Sequence, residues 1–265
     1  MMEKLIFGRY IPGDSFVHRL DPRTKLLGAI SFIVIIFLAN NWLTYGVLAL
    51  FTLLAIYLSG IDRNFFVNGV RPLIWLILFT VVLQVLFTGG ETVYVDWGPL
   101  VISKEGLING VYIFVRFILI IFMSTLLTLT TMPLSLTDAI EFLLRPFAAM
   151  KMPVHEIALM LSIALRFVPT LMDETEKIMN AQRARGIDFG QGNVFEQMKS
   201  IVPLLIPLFV SSFNRAEELA TAMEARGYKG GEGRSRYRQL LWTQKDTLVM
   251  VSFGLLAVML YILKA

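Results

Sequence analysis

Cysteine is absent from the 265 residues, which removes disulfide scaffolds, thiol redox chemistry and cysteine-ligated metals together. Charge is scarce. Asp, Glu, Lys and Arg make up 17% of the chain, against about 25% in soluble domains. A water-soluble fold needs charge on its outside, so the shortage excludes most soluble enzymes. The apolar fraction of 56% excludes a disordered chain. Histidine occurs twice, as His18 and His155, neither with a carboxylate or second histidine at ligand spacing, so interfacial roles are expected and no metal site. No G-x-x-x-x-G-K-[ST], G-x-S-x-G or H-E-x-x-H occurs; an ATP-binding loop, a nucleophile elbow and a zinc helix are all missing. No cofactor is expected, and the glycine clusters GIDFGQGN and GYKGGEGRS read as connectors. The N-terminus lacks an apolar h-region with a cleavage site, so no cleavable signal peptide is expected. What remains is hydrocarbon, and it points to a membrane protein.

Residues 26–58 hold no charged side chain. As one helix they would run ~50 Å, against a hydrocarbon core of ~30 Å. Asn40-Asn41 sits near the middle, so two spans, about 26–39 and 42–58, fit better. Charge-free stretches at 72–88 and 247–263 and the apolar region 107–130, interrupted only by Arg116, complete five spans. Lys4, Arg9, Arg19, Arg23 and Lys25 precede the first span, and Arg63 and Arg71 follow the second. The 89–106 loop carries Glu91, Asp96 and Glu105 against Lys104. By the positive-inside rule the N-terminus and the 60–71 loop are cytoplasmic and the 89–106 loop external. The fold class expected is an all-α integral membrane protein: about five transmembrane helices plus long amphipathic cytoplasmic coupling helices. Its divisions are an N-terminal arm (1–25), a four-helix membrane region (26–130), a cytoplasmic or membrane-surface region (131–246) and a final span (247–265).

The 131–246 region differs in kind, holding 27 of the chain's charged residues. Ile157, Leu161, Ala164, Val168 and Leu171 recur at helical steps and predict an amphipathic helix. The later run IVPLLIPLFVSSF is too short to span alone, and Pro203 and Pro207 are expected to bend it. Both long segments close alike. Ala181 to Gly186 and Ala222 to Gly227 each read A-x-x-A-R-G. The arginine meets the negative end of the helix dipole, and the glycine can take the left-handed conformation that stops the helix. One such ending is ordinary capping chemistry. Two, 41 residues apart, suggest a paired docking device, with guanidinium groups able to make bidentate bonds to carboxylates.

Other charged residues are open to two readings each. Asp21-Pro22 suits a helix N-cap and first position, with Arg23 and Lys25 expected to snorkel to headgroups. Arg116 lies within a span, where ionisable residues are functional candidates; it either anchors the bundle or lines a water-filled gap. A self-contained channel or secondary transporter would need several buried polar groups and inverted repeats, and the spans are nearly free of them.

The chain resembles the transmembrane (T) component of energy-coupling factor transporters, the EcfT/CbiQ family. The residues that carry the likeness are Leu20-Asp21-Pro22-Arg23-Thr24-Lys25-Leu26-Leu27, then Arg166-Phe167-Val168-Pro169 leading to Ala184-Arg185-Gly186, and Asn214-Arg215-Ala216-Glu217-Glu218 leading to Ala225-Arg226-Gly227. The resemblance implies a non-enzymatic subunit of the bacterial plasma membrane bridging two ABC-type ATPases and a membrane-embedded substrate-binding S component. Ala184, Arg185, Gly186, Ala225, Arg226 and Gly227 would be the coupling tips seated on the ATPases. The cargo would be a vitamin or a metal ion, and no nucleic acid is expected as a partner.

Overall fold

The computed structural model describes residues 10–90, 92–97, 100–146, 153–187, 189, 193–230 and 240–264. Lys4 and Arg9 of the expected arm, Glu91, and much of the two glycine clusters lie outside them. The elements are α1 (Pro22–Ile35) with a 3-10 turn (Ile36–Leu38), α2 (Trp42–Ser59), α3 (Arg63–Val70), α4 (Ile74–Phe87), β1 (Val93–Trp97), β2 (Leu100–Ser103), α5 (Lys104–Thr130), α6 (Pro133–Leu144), α7 (Val154–Ala184), α8 (Val194–Ala225) and α9 (Gln244–Leu263). The chain divides into two units, Met1–Ala139 with Gln239–Ala265, and Ile140–Arg238.

Four helices of the described residues have the length and apolarity to cross a membrane: α2, α5, α7 and α9. The pair α3–α4, bent by 58°, makes a fifth if counted as one span. Pro72, which has no N–H to donate, stands in the bend. The protein is therefore an all-α, multi-pass membrane protein. Two details differ from the expected set. α1 has 14 residues before it tightens into the 3-10 turn, too few to cross as an α-helix by itself. α7 is long and apolar enough to cross, although its C-terminal half is charged. The 89–106 loop also holds a small antiparallel hairpin, Val93 opposite Ser103 and Trp97 opposite Leu100.

The first unit is a helix bundle with a conventional interior and an apolar exterior. Phe32, Ile36, Leu48 and Leu260 are fully enclosed. Phe51 bridges three helices, stacking on Phe32 of α1 at 6.4 Å and meeting Phe253 of α9 edge-on at 5.1 Å. At Gly28 a Cβ would lie 2.7 Å from the Phe253 ring, so only glycine lets α1 and α9 approach this closely. Outside, Leu50, Tyr57 and Trp75 are exposed, as a bilayer requires and water would penalise.

Contacts sort the loops onto two ends. At one, the Asn40 and Asn41 side chains donate to the carbonyls of Lys264 and Leu263, 3.3 and 3.4 Å, satisfying acceptors that a helix end leaves free. Ser103 joins the same end of the bundle, donating to the Thr88 carbonyl at 2.8 Å. At the other, Asp21 meets Asp246, and Lys25 meets Thr130. The 19–25 and 60–71 segments thus share an end opposite the acidic 89–106 loop, the arrangement that the charge pattern demanded. Asn41 also caps α2 through a reciprocal bond with Thr44, which is why the long uncharged stretch breaks there.

Candidate functional site

The second unit is built on two long helices. α7 has 31 residues and α8 has 32, each ~45–50 Å long at 1.5 Å per residue. α8 stays helical through both Pro203 and Pro207. Their pairing is antiparallel. Gln182, buried near the end of α7, donates to the Pro203 carbonyl at 3.1 Å, while Glu174, two turns earlier, accepts from Ser211 and, at 3.1 Å, from Arg215. Arg215 also lies over the Phe167 ring at 5.7 Å. The register carries α7's tip to the first turns of α8 and α8's tip to the first turns of α7. The two A-R-G ends therefore sit at opposite ends of the pair.

Each end is the same backbone device. Arg185 caps α7 at φ −86°, ψ 5°, and Arg226 caps α8 at φ −86°, ψ 7°. Gly186 and Gly227 follow at φ +88° and +73°. The Gly186 N–H bonds the Arg183 carbonyl at 3.0 Å and the Ile187 N–H reaches the Gln182 carbonyl at 3.1 Å; Gly227 to Glu224 (2.8 Å) and Tyr228 to Met223 (3.0 Å) repeat the pattern. These paired bonds define the Schellman closure, which needs a left-handed residue after the cap. A Cβ on either glycine would meet nothing, so glycine is needed there for its backbone alone. Ala184, Arg185, Ala225 and Arg226 are all exposed, and neither guanidinium has a partner among the described residues. The ends differ in their neighbours: Arg183 precedes the first, its guanidinium over Phe189 at 6.0 Å, and Glu224 precedes the second.

The apolar faces beside these tips are also uncovered. Ile157 and Leu161, from the predicted stripe on α7, are each 37% exposed, and Ile206, Phe209 and Phe213 on α8 run from 60 to 72%. Ile157 and Leu161 thus stand open while Val168 and Leu171 of the same stripe are half-buried; the bonds between the two helices run through Glu174 and Gln182 on α7.

One constellation was missed by reasoning from sequence. Arg23 does not snorkel. Arg23 is buried and grips Asp21 with two bonds, Nε to Oδ1 at 3.0 Å and Nη2 to Oδ2 at 2.9 Å, while also reaching the Leu240 carbonyl at 3.2 Å. Asp246, wholly enclosed, accepts from the Asp21 N–H at 2.8 Å and from the Thr243 N–H and hydroxyl at 2.8 and 2.6 Å. Lys25 donates to the carbonyls of His18 and Thr130, 3.0 and 2.8 Å. These groups lie among helix ends, where backbone acceptors compete successfully with headgroups. The Asp21 cap was legible, since its side chain accepts from the Arg23 N–H at 2.8 Å. The partner 225 residues away was not.

The remaining candidates are placed as follows. His18 Nε2 donates to the Ile11 carbonyl at 3.0 Å, which leaves Nδ1 to accept from Ser15 at 2.7 Å. His155 lies 3.6 Å from Glu141, and no group of three metal-ligating side chains occurs among the described residues. Arg116 donates twice to the Tyr45 hydroxyl, at 3.1 and 2.7 Å, and covers the Phe37 ring at 5.1 Å. That is the anchoring alternative, tying α5 to α2.

Fold and site together define a polytopic helical membrane protein that presents two matched arginine helix ends. The model of the CbiQ family, described as cobalt transport protein, matches residues 13–237. The chain is 65% identical over 264 residues to the energy-coupling factor transporter transmembrane protein EcfT of Lacticaseibacillus paracasei, covering 100% of both chains. It is 62% identical to EcfT 1 of Listeria monocytogenes over 100% of this chain and 99% of that one, and 54% identical to EcfT of Bacillus subtilis over the whole of both. The chain belongs to this family of energy-coupling factor transporter transmembrane proteins.

Proposed function

We propose that this chain is the non-catalytic coupling subunit of an energy-coupling factor importer in a bacterial plasma membrane, with a cytoplasmic N-terminus. Two ABC-type ATPases receive its helix ends, Ala184-Arg185-Gly186 on one and Ala225-Arg226-Gly227 on the other. Each arginine pairs with an acidic group on its ATPase. ATP-driven closure of the ATPases moves α7 and α8, and the exposed apolar faces of those helices pass the motion to an S component carrying a vitamin or metal ion. The 131–246 region serves as the cytoplasmic and membrane-surface coupling layer. The chain supplies contact and leverage, and has no ATP site of its own.

The observation that carries this reading is the identity of the two closures. Capping alone would not require both arginines to stand exposed and unpartnered, and a guanidinium so placed is suited to bidentate recognition of a carboxylate. Their separation along two helices of ~45–50 Å suits two receiving subunits better than one. The test is co-purification of the chain with its candidate ATPase pair, comparing wild type with Arg185→Glu, Arg226→Glu and the double variant, alongside ATP hydrolysis and substrate uptake in vesicles. The expected result is a weakened complex, or hydrolysis without uptake, with the double variant worst affected. A double variant that assembles and transports normally would reduce the A-R-G ends to caps.

A further inference from the structure

Between α1, α2, α5 and α9, at the end of the bundle where α1 and α9 begin, lies a cavity of about 270 Å³. Its walls are hydrocarbon, with Leu20, Ala55, Met123 and Phe253 among them. Two of its hydroxyl-bearing residues offer nothing to a guest: Thr130 donates to the Leu126 carbonyl at 2.7 Å and Ser252 to the Val249 carbonyl at 2.7 Å. A space this large has room for several waters but gives them too few partners, so it calls for an apolar occupant. Its mouth is edged by Leu54 and Leu248, which are 56% and 67% exposed. In a chain whose exterior is built for a bilayer, such a mouth opens onto acyl chains.

The rim adds charge of one sign. Lys25 lines the cavity, and its two hydrogen bonds go to carbonyls, leaving the third ammonium proton free to donate. Lys245 is exposed and stands three and four residues before Leu248 and Val249, which puts it one turn up the same face of α9. The carboxylates nearby are already engaged, Asp21 by Arg23 and Asp246 by Thr243 and the Asp21 N–H. Trp242, half exposed, lies over the same rim segment and bonds Thr247 at 2.9 Å, as an aromatic side chain does at the headgroup level.

We propose that the cavity holds an acyl chain of an anionic phospholipid, whose phosphate is met by Lys25 and Lys245. The acyl chain fills the space between the four helices, and the headgroup sits where the basic rim meets the membrane surface. This is independent of how the arginine ends act.

The test is native mass spectrometry of the full chain, delipidated and then exchanged against phosphatidylglycerol, phosphatidylcholine of the same acyl composition, or oleate. Expected is one retained phosphatidylglycerol per chain, about tenfold above phosphatidylcholine, since each lysine near a membrane surface favours anionic lipid. Ala55→Phe fills the space and should abolish retention of both phospholipids. Leu248→Trp, made at an exposed rim position so that folding is spared, should do the same with an unchanged melting temperature. Lys245→Glu should keep retention but erase the preference for phosphatidylglycerol. Leu50→Phe, on the exposed face of α2 away from the cavity, should change nothing. Equal retention of the two phospholipids by wild type, retention untouched by both cavity variants, or retention of oleate alone would overturn the proposal.

Discussion

Arg23 and Arg226 carry the same guanidinium, each at the end of a helix, and the molecule uses them in opposite ways. Arg23 stands in the first turn of α1, only 10% of its side chain exposed, with Asp21 and the Leu240 carbonyl as partners. Arg226 caps α8 in the open with no partner among the described residues. An arginine consumed by the fold cannot serve another protein, and one left in water contributes little to the fold. The difference separates the charges that hold the bundle together from those left open to a partner.

The comparison can be broken most severely at Asp246. Asp246→Ala leaves the Asp21 N–H and the Thr243 donors unsatisfied in an enclosed site, and removing one member of such a network costs about 3 kcal/mol or more. Thermal unfolding of the purified chain should show a large drop in Tm, whereas the helix tips keep their local geometry. A smaller effect is expected at the left-handed glycines. Gly186→Ala and Gly227→Ala force a Cβ residue to positive φ at about 1 kcal/mol each, read as faster amide exchange at Ile187 and Tyr228. Asn at either position should be milder, because it tolerates that conformation.

Weaker still is the contact between α7 and α8. Glu174→Gln removes a partly exposed pair with Arg215 and should cost under about 1 kcal/mol, with unfolding as the readout. At the bottom of the scale, Arg185→Ala and Arg226→Ala should alter stability by no more than about 0.5 kcal/mol, as for other unpartnered surface changes, yet lose the ATPases in co-purification. A stability loss as large as that of Asp246→Ala would erase the distinction between the two arginines.

What could be read from the chain was whatever depends on short separations. The A-R-G closures involve bonds across three to five residues, so the sequence Ala225-Arg226-Gly227 nearly dictates its own geometry. The Asn41 cap and the Asp21 cap are equally local. The snorkelling expected of Arg23 failed because it weighed only the headgroups, while the Asp21 carboxylate two residues before it and the distant Leu240 carbonyl captured the guanidinium. The amphipathic stripe on α7 was visible as a period, but period alone does not say which face another helix takes. Ile157 and Leu161 stayed exposed while Val168 and Leu171 are half-buried, and the bonds to α8 run through Glu174 and Gln182 further along. The 93–103 hairpin was passed over as loop, although the alternation Val93, Val95 and Trp97 ahead of the dipeptide Gly-Pro was a usable signal.

The sequence by itself determined that this is a multi-pass membrane protein, where its uncharged helices lie, which loops share an end of the bundle, and that two helices finish in matched arginine caps. All of these follow from hydrophobic length, charge placement and hydrogen bonds between near neighbours in the chain. The tertiary structure alone decided that Asp21 meets Asp246, that Lys25 closes the end of α5, that the caps stand at opposite ends of an antiparallel pair, and that a cavity opens between four helices. Those depend on which surfaces pack together, and packing is settled by the shape and polar satisfaction of the whole set of helices, not by any one segment.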